Sequence, residues 1–116
     1  LRAPDRTLTD DEVGPVRKAI ADAVSAAGYK LGQDVYIAID PAASEMFDAE
    51  TGRYRFFKSN PDKTVSSEEL IGQWKTWCEK YPIRSLEDGL GENDWDGWVK
   101  LTEALGDRLQ IVGDAR

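Results

Sequence analysis

The chain has 116 residues, of which 22 are acidic and 15 basic, giving a formal net charge of −7, and 41% are hydrophobic. Such an acidic surface repels phosphate backbones and anionic bilayers, which argues against nucleic acid or membrane partners. With no histidine and Cys78 as the single cysteine, a Ser-His-Asp triad, a Cys-His pair, an imidazole or thiolate metal site and an intrachain disulfide are excluded.

The opening residues, Leu1 to Glu12, lack the apolar core of a signal peptide. No apolar run approaches the ~20 residues needed to span a bilayer. A soluble, cytoplasmic chain is the expectation. Val13, Val16, Ile20, Ala23, Val24 and Ala27 recur at steps of three and four, which predicts a first amphipathic helix. Thr9 and Glu12 read as a capping box, but Pro15 would then lie too deep. Gly14 as cap, with Pro15 at the first helical position and Gly28 past the end, is the cleaner reading. Val35 to Ile39 is apolar without alternation, as in a strand covered on both faces.

A polar excursion follows from Pro41 to Val65, with turn signals at Thr51-Gly52 and Asn60-Pro61. Within it, Tyr54 to Phe57 can pair with residues near Met46-Phe47 as a small hairpin. Ser66 and Glu69 form a capping box ahead of Leu70, Ile71, Trp74, Trp77, Cys78 and Tyr81, and Pro82 stops that helix. Ile83 to Leu86 is a second strand. Asn93 or Asp94 caps a third helix carrying Trp95, Trp98, Leu101 and Leu105, closed by Gly106. Leu109 to Val112 is the third strand.

Helices alternating with strands predict an α/β fold with three parallel strands joined by helices. A (β/α)₈ barrel of the TIM type takes ~250 residues, so this chain corresponds to an incomplete one. Each strand runs into an acid: Asp40, Glu87, and Asp114 after Gly113. Carboxyl ends of parallel strands are where such folds gather their ligands. Neighbouring strands lie ~4.8 Å apart, so three side chains can converge. Converging carboxylates repel unless a cation lies between them, and an all-oxygen set favours magnesium. A single acid at a strand end more often caps a turn or faces water, and spacing alone leaves both roles open.

The segments Ala38-Ile39-Asp40-Pro41-Ala42-Ala43-Ser44-Glu45, Tyr81-Pro82-Ile83-Arg84-Ser85-Leu86-Glu87-Asp88-Gly89-Leu90 and Gln110-Ile111-Val112-Gly113-Asp114 resemble enolases (phosphopyruvate hydratases). Asp94-Trp95-Asp96-Gly97-Trp98 also matches, and the resemblance is clear from about residue 28 to 114 within a partial barrel domain spanning 1–116. It implies a lyase of glycolysis interconverting 2-phospho-D-glycerate and phosphoenolpyruvate plus water. It also implies Mg2+ held by Asp40, Glu87 and Asp114, with Glu87 and Asp114 beside the substrate. Cytoplasmic, homo-oligomeric enzymes are the family expectation, with bacterial-type members also at the cell surface. The segment between Asp40 and Ser66 looks like a loop that closes over the site.

The family's acid, base and substrate-binding histidine are not expected within this chain, and no catalytic residue is assigned in it. Lys18, Lys30, Lys58, Lys63, Lys75, Lys80 and Lys100 fall in helices or loops, away from strand ends. The isolated chain is therefore expected to be inactive and, with uncovered faces, prone to self-association. The alternative is a non-catalytic enolase-derived fragment acting as a small acidic interaction domain. Trp74, Trp77, Trp95 and Trp98 are read as helix-packing core, Arg53 and Arg84 as surface charge, Ser44 and Glu45 as members of the site's loop, and Cys78 as inert.

Overall fold

Three of the local signals act as the residues require. Ser66 Oγ accepts the Glu69 amide at 3.1 Å while Glu69 Oε1 accepts the Ser66 amide at 3.3 Å. This reciprocal box starts helix α2 (Ser67–Lys80). At its other end Tyr81 is already extended, φ −129° and ψ 152°, because the ring of Pro82 disfavours a helical residue before it. Asp94 caps helix α3 (Trp95–Leu105), its Oδ1 accepting the Gly97 amide at 3.0 Å.

The computed structural model describes residues 2–3, 6–7, 10–57 and 60–113, with side chains from Pro15 onward. In chain order the elements are β1 (Arg2–Ala3), β2 (Arg6–Thr7), α1 (Asp10–Ala26), β3 (Ile37–Ile39) and a short 3₁₀ turn (Ala43–Met46). There follow β4 (Phe47–Asp48), β5 (Arg53–Phe56), β6 (Asn60–Val65), α2, β7 (Ile83–Glu87), α3 and β8 (Gln110–Val112).

Helix α1 starts upstream of the expected Gly14 cap, so Pro15 lies inside it and not at its first position. At the sixth helical position the ring fits the backbone angle but forfeits the hydrogen bond to the carbonyl four residues back. The Thr9–Glu12 capping box lies outside the described residues. The helix ends as expected at Gly28 (φ 89°). There the Tyr29 amide reaches the Val24 carbonyl at 3.1 Å and the Gly28 amide that of Ser25 at 3.0 Å, a Schellman pair. Its predicted apolar face is largely uncovered, with Val16 38% and Ile20 45% exposed.

The parallel sheet has the order β3-β7-β8. It alternates with helices as the sequence predicts and is open, not a closed barrel. The first strand is shorter than the expected 35–39, with Val35 bridging back to Leu31 instead. Central strand β7 buries Ile83 and Leu86 against Leu70, Trp74, Leu101 and Leu105 of the helices, which together form the core. Lys100 pairs with Glu68, tying α3 to α2 across the surface. The radius of gyration is 14.9 Å, against about 13 Å for a compact domain of this size, as expected for a sheet with open edges.

The polar excursion is more ordered than its composition suggests. It is a three-stranded antiparallel sheet, β4-β5-β6. The expected hairpin is there, with Phe47 opposite Tyr54 and Asp48 opposite Arg53. Strand β6 replaces the expected loop, and its Pro61 is tolerated because the strand lies at the sheet edge. Tyr54 is fully buried and edge-on to Phe47, with ring centroids 5.5 Å apart.

This sheet carries an acid-sensitive tie. Asp48 Oδ2 accepts from Arg55 Nη2 at 3.0 Å, and its Oδ1 accepts the Glu50 amide at 3.0 Å. The Arg55 hydrogen bond first, then the Glu50 amide, holds the Asp48 carboxyl below its ordinary 3.8. A lowered folded-state value means the stabilisation is complete above the ordinary carboxylate range and is lost as pH falls through the folded value. The urea midpoint is therefore expected to fall as pH drops below 3.8, and Asp48→Asn to make that fall shallower. An identical acid limb in the variant would remove Asp48 from the account.

Candidate metal centre

The register of the parallel sheet sets up the site. Ile39 lies opposite Leu86, and Glu87 opposite Val112. Asp40 and Glu87 therefore leave adjacent strands side by side at their carboxyl ends. Asp88 follows with φ 49°, the left-handed region that aspartate tolerates better than most residues. Successive residues of a regular strand point to opposite faces; the left-handed step at Asp88 breaks that alternation and brings a second acid to the corner. Ligand oxygens of Asp40, Glu87 and Asp88 all lie within 4.8 Å of one another.

The donor set suits a hard cation. All three groups offer carboxylate oxygen, Asp40 and Glu87 are exposed, and Asp88 is partly buried. Neighbouring oxygens around an octahedral magnesium are about 3 Å apart and opposite ones about 4.2 Å, so the triangle must draw in around an ion, which exposed side chains allow. The Ala42 amide donates to Asp40 Oδ1 at 3.0 Å and so turns the carboxylate about its own strand end. Of the three acids singled out from sequence, the structure brings Asp40 and Glu87 together. Asp114 lies outside the described residues. Asp88 escaped the sequence reading because strict alternation would have sent it away from Glu87.

Behind the acids, the loop from Asp88 to Asp94 is held at nearly every residue. The Asp88 amide donates to the Val112 carbonyl at 2.9 Å, and its carbonyl accepts the Ala43 amide at 3.0 Å. Trp74 Nε1 donates to the Gly89 carbonyl at 2.7 Å, and Trp98 Nε1 to that of Gly91 at 2.9 Å. The Gly91 amide donates to the Tyr54 hydroxyl at 2.7 Å, and that hydroxyl donates to Asp94 Oδ2 at 2.8 Å. Ser67 Oγ also donates to Asp94 Oδ2. Burial, and then the Asp94 carboxylate, push the Tyr54 phenol well above its ordinary range, so it stays a proton donor.

The remaining sequence candidates are placed as follows. Ser44 Oγ accepts the Glu92 amide at 3.0 Å, so it braces the same loop. Arg53 is bound to Thr64 and Glu69. Arg84 stacks 4.5 Å over Tyr36, three residues back along β7 from Glu87 and so about 10 Å from the acid corner. Trp74 is buried and Trp77 and Trp98 pack against the core, but Trp95 is 75% exposed. The core reading fails for Trp95 because the first residue of α3 faces away from α2 and the sheet. Burial raises the Cys78 thiol, which keeps it protonated and unreactive at neutral pH. Among the described residues, no lysine stands at the carboxyl end of a parallel strand, and no helix is long and apolar enough to cross a membrane.

Residues 8–116 match the family model for the enolase C-terminal TIM barrel domain. The chain is 46% identical, over 112 residues, to Enolase 1 of Chlorobaculum tepidum (strain ATCC 49652 / DSM 12025 / NBRC 103806 / TLS). That alignment covers 97% of this chain and 25% of the relative, so the chain spans a quarter of the length of the curated protein it matches.

Proposed function

Because the chain belongs to the enolase family, as a segment of its C-terminal barrel domain, we propose that it is the metal-binding portion of an enolase-type lyase. The reaction in this reading interconverts 2-phospho-D-glycerate with phosphoenolpyruvate and water. The observation that carries it is the convergence of the Asp40, Glu87 and Asp88 oxygens within 4.8 Å where parallel strands end. Asp40, Glu87 and Asp114 are the proposed Mg2+ ligands, with Glu87 and Asp114 also facing the substrate, and Asp88 reinforcing the negative charge of the pocket. When bound, the metal would neutralise charge building on the substrate carboxylate.

The chain's own residues divide the remaining work. Asp40, oriented by the Ala42 amide, and Glu87, fixed by its pairing with Val112, hold the ion against adjacent strands. The sequence has no histidine, and among the described residues no lysine stands at a parallel-strand end to move the proton at C2. Turnover by these 116 residues alone is therefore not part of the proposal. The chain is one part of a barrel domain in a cytoplasmic, oligomeric enzyme.

Isothermal titration of the chain with MgCl2 tests the reading. Asp40→Ala and Glu87→Ala are each expected to weaken binding by more than about tenfold, the loss seen when even an outer-shell partner of a metal ligand is removed. Unchanged affinity in both variants would remove the metal site.

A further inference from the structure

We infer that Tyr54 is a positioning residue for the acid corner, acting on Asp88 and Glu87 through the loop that leads to Asp94. The inference rests on the metal reading above and adds to it a residue 33 positions upstream of Glu87 in the chain, on a different sheet. Tyr54 is fully buried, and its hydroxyl both accepts the Gly91 amide and donates to Asp94. The fit is close, since a Cβ added at Gly91 would sit 3.2 Å from that oxygen. Tyr54 of the antiparallel sheet, with Ser44 and Ala43 of the 3₁₀ turn that precedes it, fastens the loop at Gly91, Glu92 and Asp88.

This fastening matters because Asp88 is held at φ 49°, a conformation that a non-glycine residue leaves when its surroundings allow. The loop's hydrogen bonds hold it there, and the consequence is that Asp88 shares a corner with Glu87. Phenylalanine at position 54 would leave the Gly91 amide without its acceptor and take one of three donors from Asp94, which keeps Ser67 and the Gly97 amide. The loop gains freedom three residues from Asp88, the backbone relaxes, and the carboxylate leaves the cluster. Ser44 acts in the same direction through Glu92, more weakly because it is exposed.

The test compares the full chain with its Tyr54→Phe, Ser44→Ala and Leu105→Ala variants. Leu105 is fully buried in α3, away from the loop, and serves as a destabilised control. Magnesium affinity is measured by calorimetry at a temperature where each variant is folded, and amide exchange by NMR. Tyr54→Phe is expected to weaken magnesium binding by about tenfold, as outer-shell losses do, and to speed exchange at Asp88 and Gly91 but not at Leu101. Leu105→Ala is expected to melt earlier yet bind magnesium like the parent. Equal weakening in Leu105→Ala, or uniform faster exchange in Tyr54→Phe, makes the role merely structural and overturns the inference. A parent that binds with Tyr54→Phe binding equally well overturns the positioning role and leaves the metal reading standing. A parent that gives no magnesium titration overturns both. If Tyr54→Phe does not fold, Ser44→Ala decides: weaker binding supports the inference and parental affinity overturns it.

Discussion

Truncating Leu86 to alanine is expected to cost about 2–5 kcal/mol of stability and to lower the thermal midpoint by roughly 10–20 °C for a chain of this size. Leu86 is fully buried on β7, the strand flanked on both sides by parallel partners. The turn after β7 folds directly over it: a Cβ at Gly89 would come within 2.8 Å of Leu86 Cδ2. Contact that close means the leucine fills its space, so truncation leaves a cavity that neighbouring side chains cannot easily enter. The loss is a large fraction of the 5–15 kcal/mol typical of whole domains. Urea unfolding followed by tryptophan fluorescence reads it out, since Trp74 is buried in the same core. Val99→Ala, at a residue 59% exposed, should stay within about 0.5 kcal/mol of the parent. Equal midpoints for the two variants would mean that β7 is not the centre of the fold.

Much of this fold is legible in the sequence because its signals are local. The Ser66–Glu69 box, the Pro82 stop, the Asp94 cap and the Gly28 terminator each depend on residues within a turn of one another. The parallel order follows from the alternation of elements. Strand β6 was hidden because Asn60-Pro61-Asp62-Lys63 carries no apolar alternation. It is a strand by virtue of pairing with Arg55 and Tyr54, a tertiary effect that propensity does not record. The start of α1 was misplaced for the opposite reason: a rule about proline at the first helical position was applied where the helix begins earlier and tolerates the ring. Trp95 shows the limit of counting helical spacing, since the first residue of a helix can lie on the apolar stripe and still find nothing opposite.

The acid corner was legible in part. Asp40 and Glu87 stand out because each ends an apolar run, and the register places them together. Asp88 depends on a single left-handed residue and Tyr54 on a contact across 37 positions, neither of which has a periodic signature. The consecutive Glu87-Asp88-Gly89 is the one sequence hint, a pair of acids before a glycine where a turn is needed.

Replacing Gly97 with alanine is expected to destabilise the chain by about 2 kcal/mol, although alanine in a helix normally gains about 0.5–1 kcal/mol over glycine. The sign reverses because of what stands beside it. A Cβ at Gly97 would lie 2.6 Å from Cγ and from both carboxylate oxygens of Asp94. An unrestrained aspartate would simply swing away, but this one accepts from Tyr54, Ser67 and the Gly97 amide. Moving it gives up the helix cap, worth about 0.5–2 kcal/mol, together with hydrogen bonds to a charged acceptor, worth about 1.5–3 kcal/mol each. These losses exceed the gain in helix propensity even if the cap is partly re-formed. Gly72 in α2 supplies the contrast, for a Cβ there meets nothing within 4 Å. Gly72→Ala should therefore raise the urea midpoint while Gly97→Ala lowers it. Two substitutions identical in chemistry, each in a helix of the same chain, then differ only in whether the added methyl displaces the carboxylate on which β5, α2 and α3 converge. A Gly97→Ala variant as stable as Gly72→Ala would mean that Asp94 does not hold them together.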